Sequence, residues 1–271
     1  MTDKLTREPL ATGAIPSSID IRDYRLASVA SEFPAYFELD TVPVKNQGAM
    51  PTCTAHASSE IVEYFNMKQQ DGYREFSTDY IFGRRESGVD GKGMSLRDAL
   101  KVLYNYGDVP VEDAPCNQQY SAARKYIVDK GMEELDKKAK PNRITGYYKC
   151  KGVEEIKTAL MNHGYVLINM PTYKYRIIND VYTPMSENIS GYHAVIIYGW
   201  DDDKGWLVQN SWGALWAKDG RFILPFDYPL VEAWGVSDDL VNSDIKKPNV
   251  LVRAISTICN FVMNYLNKLK K

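Results

Sequence analysis

The chain is predicted to be an α+β protein of two lobes, a helical N-terminal lobe and an antiparallel, β-rich C-terminal lobe with a cleft between them. Three observations predict this. Up to His163 apolar side chains recur at helical spacing; from Tyr165 they form short runs rich in Val, Ile, Tyr and Trp. In addition, 271 residues with 44% apolar content can bury a large core shared by two such halves.

Residues 1–33 are polar, carry Gly13, Pro16 and the Ser17-Ser18 pair, and read as an irregular leader, a candidate pro-segment. Pro43 precedes a loop from Val44 to Thr52. Cys53 then opens a helix whose Ala57, Ile61, Val62, Phe65 and Met67 recur every three to five residues, carried by the helix formers Glu60 and Glu63. Ser77 ahead of Tyr80-Ile81-Phe82, and Ser95 ahead of Leu96, Ala99, Leu100 and Leu103, are helix starts; Gly107 closes the second. Residues 118–139 read as a charged helix, and Val153 to His163 as another that stops at Gly164. Strands are predicted at Tyr165–Met170, Tyr192–Tyr198, Gly205–Gln209 and Arg221–Leu224, with Asp201-Asp202-Asp203 as a solvated turn. After Pro248, Leu251, Ile255, Ile258, Val262, Leu266 and Leu269 make an apolar stripe that ends in Lys268, Lys270 and Lys271. Segment 241–271 is therefore predicted as an amphipathic C-terminal helix packing on the 34–240 body, with contact to a partner or membrane surface as the alternative.

Composition excludes several function classes. A net charge of -2, without a Lys/Arg stripe interleaved with aromatics, argues against nucleic acid as a partner. No stretch approaches the roughly 20 apolar residues of a transmembrane segment, and Met1 to Leu10 does not read as a signal peptide. Cys53, Cys116, Cys150 and Cys259 form no C-x-x-C pair and there are only three histidines, so neither metal nor cofactor is expected. The cysteines other than Cys53 read as mostly buried thiols of a reducing compartment.

Three separated fragments carry chemistry: Gln47-Gly48 with Cys53, then Tyr192-His193-Ala194-Val195, then Gln209-Asn210-Ser211-Trp212-Gly213. Cys53 is a nucleophile, His193 a base, Asn210 an amide able to orient that base, and Gln47 an amide donor for an oxyanion. A thiol attacks carbonyls as thiolate, and a place in the first turn of a helix beside an imidazolium favours that form. His56, three residues after Cys53, is the competing base; it reads as packing because a base needs clear access to the leaving group. His163 reads as a dipole partner closing a helix.

The fragments resemble the papain-like cysteine peptidases, the papain and cathepsin family. Val42-Pro43-Val44-Lys45-Asn46-Gln47-Gly48 is similar to the approach to that family's nucleophile, and Asn210-Ser211-Trp212-Gly213 with Trp216 and Asp219-Gly220-Arg221-Phe222 to its asparagine motif. The resemblance covers about residues 34 to 226 and implies the two-lobed papain-like fold and hydrolysis of peptide or protein substrates, in the manner of an endopeptidase, through an acyl-enzyme on Cys53. His193 would carry the proton, Asn210 orient the imidazole, and Gln47 with the Cys53 backbone N–H form the oxyanion hole. Trp212 would shield the His–Asn bond, Tyr192 flanks the histidine, Gly93 and Met94 would line the substrate groove, and Trp216 reads as packing.

Departures from the family pattern are local. Met50-Pro51-Thr52 replaces its Cys-Gly-Ser, so the nearby disulfide is absent; Thr54 replaces the tryptophan after the nucleophile; Gly91-Lys92-Gly93-Met94 stands where a cysteine-bearing glycine segment is expected. These losses, with Asp20-Ile21-Arg22-Asp23-Tyr24 and Ser95-Leu96-Arg97-Asp98-Ala99, are similar to microbial or viral branches, which implies a cytoplasmic or virion and host-cytoplasm setting. The family's long helical propeptide is missing, so the short leader is expected to lie on the body or across the cleft and restrain activity. The rival readings are a papain-fold binding or structural module with an occluded or inactive site, suggested by Met50-Pro51-Thr52 and Thr54, and a thiol acyltransferase or deubiquitinase-like enzyme.

Overall fold

Two apolar layers meet along one long strand. The computed structural model of the chain describes residues 7–21, 23–25, 32–70, 72–85, 93–116 and 123–238. The predicted 241–271 helix, Gly91, Lys92 and Cys259 lie outside them.

The helical layer consists of α1 (Cys53–Gln69), α2 (Thr78–Arg84), α3 (Leu96–Asn105), α4 (Ala123–Asp129) and α5 (Met132–Ala139). Ser77 and Ser95 cap α2 and α3 as predicted: their hydroxyls accept from the Tyr80 and Asp98 N–H groups. Gly107 follows α3 at φ +90°, where an added Cβ would lie 2.1 Å from the Ala139 carbonyl oxygen. The charged helix expected over 118–139 is two helices, because Gly131 at φ 87° turns the chain between them; residues 117–122 lie outside the described residues.

The sheet layer is nine-stranded in the order β4-β11-β5-β8-β9-β10-β7-β6, with β2 (Tyr36–Glu38) beside β8. Its strands are β4 (Gly146–Cys150), β5 (Val166–Thr172), β6 (Tyr175–Ile178), β7 (Val181–Pro184), β8 (Gly191–Asp201), β9 (Gly205–Gln209), β10 (Arg221–Leu224) and β11 (Glu232–Ser237). A separate parallel pair joins β1 (Ala14–Ile15) to β3 (Met94–Ser95). The helix α6 (Gly152–His163) follows β4 and ends at Gly164, φ 108°. The predicted turn at Asp201–Asp203 joins β8 to β9, and its acids pair with Lys204 and Lys157.

Strand β8 is the seam. Ala194, Ile196 and Tyr198 belong to the core shared with α1, while Val195 and Ile197, and Trp200 beyond the register shift between Ile197 and Gly199, belong to a second core with Trp206, Trp212 and Phe222. Covered on both faces, the strand reads as a continuous apolar run rather than an alternating one. The stacked rings of Tyr64 on α1 and Tyr165, 4.2 Å apart, join the layers. The architecture is the α+β arrangement expected, with the catalytic candidates along the seam.

Candidate active site

Cys53 is the first residue of α1 and is fully buried. Backbone N–H groups of Ala194, Thr54 and Gly13 face its sulfur and favour the thiolate, yet burial outweighs them and holds the thiol above its ordinary value. This differs from the thiolate expected at a helix N-terminus. The reason is desolvation: the helix end is covered, and a buried negative charge costs more than the dipole returns.

His193 sits on β8 opposite Met170 of β5, and Asn210 directly follows β9. The imidazole Nε2–H donates to Asn210 Oδ1 at 2.7 Å, which leaves Nδ1, without a hydrogen-bond partner among the described residues, as the nitrogen able to take a proton. Burial pushes His193 down to about 4, with the Asn210 bond opposing. The Trp212 ring stacks on the imidazole at 4.6 Å and 22°, covering the His–Asn bond. Asn210 is fixed in turn: its Oδ1 also accepts from the Ser211 N–H at 2.8 Å.

Gln47 is held from two sides. Its backbone N–H donates to the Ser211 carbonyl at 2.9 Å, and the Ser211 hydroxyl donates to Gln47 Oε1 at 2.6 Å. With its oxygen engaged, the amide must present its NH₂ to the cleft. That NH₂ donates to the Met50 carbonyl at 2.6 Å and to the Ala11 carbonyl at 3.1 Å.

Ala11 belongs to the leader, which crosses the cleft. The Trp212 Nε1–H donates to the same Ala11 carbonyl at 3.1 Å, Gly13 N–H donates to the Tyr192 carbonyl at 3.2 Å, and Met94 N–H donates to the Gly13 carbonyl at 3.0 Å. Fit is tightest at Gly13, where a Cβ would lie 2.1 Å from the Pro51 carbonyl oxygen, and at Gly93, where one would lie 2.0 Å from the Gly13 carbonyl oxygen. The four residues predicted to line the substrate groove, Gly93, Met94, Tyr192 and Trp212, are thus the residues that hold the leader. Beyond the cleft, Arg97 donates to both Asp23 carboxylate oxygens (3.0 and 2.5 Å) and to the Ser18 carbonyl; Ser17 donates from N and Oγ to Glu232 at 3.0 Å each.

The remaining candidates fall elsewhere. The His56 Nδ1–H donates to the Thr52 carbonyl at 2.9 Å, and burial lowers its basicity to about 4, as suits packing. His163 ends α6 against the Tyr148 ring. Trp216 is buried and donates to Tyr175 Oη at 2.9 Å. Thr54, in place of a bulky neighbour, donates to the Met94 carbonyl at 2.9 Å and ties α1 to β3. Cys53 and Cys150 are buried free thiols, and Cys116, on the loop after Pro115, is an exposed one. Among the described residues no His/Cys/Asp/Glu group could hold a metal ion. Sequence reasoning passed over Ser211 as a support for Gln47, although it lay inside the Asn210–Gly213 fragment. It also passed over the pairing of Asp23 with Arg97, whose two segments were noticed separately.

Comparison with known proteins gives a consistent result. The model of the family described as "Papain family cysteine protease" matches residues 34–227. A viral cathepsin of Adoxophyes honmai nucleopolyhedrovirus is 25% identical over 211 residues, covering 74% of this chain and 57% of the relative. An uncharacterized peptidase C1-like protein of Acanthamoeba polyphaga mimivirus is 25% identical over 224 residues, covering 73% of this chain and 67% of that protein. A Theileria parva cysteine proteinase aligns over only 39% of its own length, so the chain spans about half or less of several curated relatives. Among solved structures, xylellain, a cysteine protease from Xylella fastidiosa, superposes with a TM-score of 0.75 at 23% identity, covering 87% of this chain and 99% of that one.

Proposed function

Because the chain belongs to the papain family of cysteine proteases, we propose that it hydrolyses peptide bonds through an acyl-enzyme on Cys53, in the manner of an endopeptidase, and that its leader restrains the reaction. The observation carrying this reading is that the Gln47 amide donates to a backbone carbonyl, that of Ala11, in the cleft beside Cys53. A site that already binds a peptide carbonyl by that donor has the recognition needed for acyl transfer.

The steps follow from the geometry. Cys53 Sγ gives its proton to His193 Nδ1 and forms a bond to the peptide carbonyl carbon. The oxyanion accepts from Gln47 Nε2 and the Cys53 N–H. Collapse breaks the C–N bond as His193 passes the proton to the leaving amine; water, deprotonated by His193, then cleaves the thioester. Asn210 holds the imidazole through the 2.7 Å bond, and Trp212 keeps water from it. Met94 and Tyr192 offer the backbone hydrogen bonds to substrate that the leader now takes, and Gly93 leaves room for the chain to pass.

The leader reaches the nucleophile itself, where the Gly13 N–H faces the Cys53 sulfur. It also desolvates the site, which favours the neutral thiol and neutral imidazole over the ion pair. Residues 1–33 therefore read as a restraining pro-segment on the body that follows. A cytoplasmic or virion setting belongs to the same proposal, supported by the relatives from two viruses. No helix among the described residues is long and apolar enough to cross a membrane.

The test is cleavage of a peptide library by the full chain. Turnover should vanish in Cys53→Ala with the fold intact, and kcat should fall about 10²–10³-fold in Gln47→Ala with KM little changed. Undiminished hydrolysis by Cys53→Ala would end the assignment.

A further inference from the structure

The loop that carries Gln47 has a second face, and it is charged. Lys45 lies almost completely buried behind the amide, with its Nζ 2.7 Å from Glu63 Oε1 and 3.3 Å from both Glu75 Oε1 and the Phe76 carbonyl. Its backbone N–H donates to Glu60 Oε1 at 3.4 Å, and its carbonyl accepts from the Gly213 N–H at 2.9 Å. Glu60 and Glu63 both stand on α1, seven and ten residues after Cys53, so two and three turns down the helix the thiol opens. Gly213 closes the segment that supplies Asn210 and Ser211. Three parts of the site therefore converge on one residue: the thiol helix, the oxyanion loop and the segment orienting the imidazole.

We propose that Lys45 is a positioning residue for the oxyanion hole, fixing the Gln47 amide relative to Cys53 by clamping its loop to α1 through Glu63. This rests on the peptidase chemistry proposed above. Ser211 fixes which way the amide faces, but Ser211 belongs to the sheet side of the cleft. The link from the loop to α1 runs through Lys45, and the hole needs donors from both the loop and the first residue of α1. Charge makes the clamp specific. Burial alone would strip Lys45 of its proton, but the Glu63 carboxylate, with Glu75 and Glu60, keeps it above its ordinary value. Burial likewise pushes Glu60 up to about 8 and Glu63 up to about 7, and Lys45 opposes both rises, so the ammonium favours the carboxylate form of the Glu63 it touches. A neutral side chain at position 45 would leave Glu63 without its partner and the loop free to shift, and a displacement of an ångström at reacting groups suffices for a large rate loss.

Two reactions of Cys53 in the full chain separate positioning from mere stability. Iodoacetamide alkylates sulfur by displacement at a saturated carbon and needs no oxyanion hole. p-Nitrophenyl acetate acylates it: the S–C bond forms, the C–O bond breaks, and p-nitrophenolate leaves after passage through an oxyanion. Both reagents require the leader to move aside, so the ratio of the two rates, with Cys53→Ala subtracted, is independent of leader docking. Lys45→Met should lower the acylation-to-alkylation ratio about 10- to 100-fold, Lys45→Arg should keep it within about threefold, and Glu63→Gln should lower it about 5- to 20-fold. If Lys45→Met does not fold, Glu63→Gln decides. An unchanged ratio in the folded variants, whatever their Tm, would overturn the proposal while leaving the peptidase reading standing. A wild-type chain that is alkylated but never acylated would remove both.

Discussion

The two halves of the leader are held in different ways. Over the cleft, residues 11–14 bind by backbone: carbonyls of Ala11 and Gly13 accept from Gln47, Trp212 and Met94, and the Gly13 N–H donates to Tyr192. Beyond it, residues 17–25 bind chiefly by side chains, with Ser17 on Glu232, Asp23 on Arg97 and Arg25 on Glu155. Backbone bonds let a site accept many sequences, as a groove for peptides must. Side-chain pairs recognise one sequence, as a latch must. The difference teaches that occupancy of the cleft is specified largely outside it.

The largest effect should come from the leader's tightest fit inside the cleft. In Gly13→Val the new Cβ would meet the Pro51 carbonyl oxygen at 2.1 Å, backbone against backbone-anchored atoms with nowhere to yield. Loss of about 2.8 kcal/mol of leader docking is a hundredfold change in the open population. The alkylation rate at Cys53, read by peptide mapping against exposed Cys116 as internal control, should rise about 100-fold. An unchanged rate would mean that the leader does not limit access to the sulfur.

Next comes the latch. The Arg97 and Asp23 side chains are 7% and 11% exposed, so Arg97→Leu leaves a carboxylate largely buried with Lys149, 3.7 Å away, as its remaining ion-pair partner among the described residues. About 2 kcal/mol, or roughly 30-fold faster labelling of Cys53, is expected. Asp23→Asn, which keeps the shape, should move the rate in the same direction by less. If Arg97→Leu matched wild type while Gly13→Val did not, the backbone half alone would be the lock.

Acid should open the cleft. Burial depresses His193 to about 4 from an ordinary 6.5, so an opening that rehydrates the imidazole lets it bind a proton that the closed state refuses. Closure therefore contributes stability above about pH 6.5 that is lost as pH falls toward 4. One-proton linkage gives up to about tenfold more open chain at pH 5.5. Amide exchange at Met94, corrected for its intrinsic pH dependence, reads this directly, since that N–H donates to Gly13. Pushing the thiol upward has the opposite sign and matters only on the alkaline side.

How much of this was legible in the sequence follows from the range of the interactions. Cys53, His193 and Asn210 sit in short fragments whose flanking residues carry the signal, and Ser77 and Ser95 cap their helices by local bonds. Strands β6 and β7 went unread, although their turn is Asn179-Asp180 with both residues at positive φ (51° and 67°), a hairpin turn that needs no glycine. Strand β11 was invisible for another reason: Glu-Ala-Trp-Gly-Val-Ser is buried throughout, and Glu232 is there to receive Ser17 and Trp234, partners no periodicity announces. The Lys45 clamp was hidden likewise, since Glu60 and Glu63 read simply as helix formers until the fold buries them. Local chemistry was readable; groups whose role depends on a partner far along the chain were not.

The weakest link of the latch sharpens the contrast between its halves. Arg25 lies 2.5 Å from Glu155, but its side chain is 60% exposed. With the guanidinium mostly in water its charge is screened and holding it costs side-chain entropy, so this half-buried pair, whose Glu155 is 11% exposed, is worth about 1 kcal/mol or less. Glu155 keeps another donor, the Lys151 N–H at 2.7 Å, and the leader keeps the bond from the Lys149 N–H to the Tyr24 carbonyl at 2.8 Å. Arg25→Ala should thus change Cys53 labelling by less than about threefold, and what effect there is should fade as salt rises. A change as large as that of Arg97→Leu would show that the latch is not concentrated in its buried pair, and that its exposed end sets how often the cleft opens.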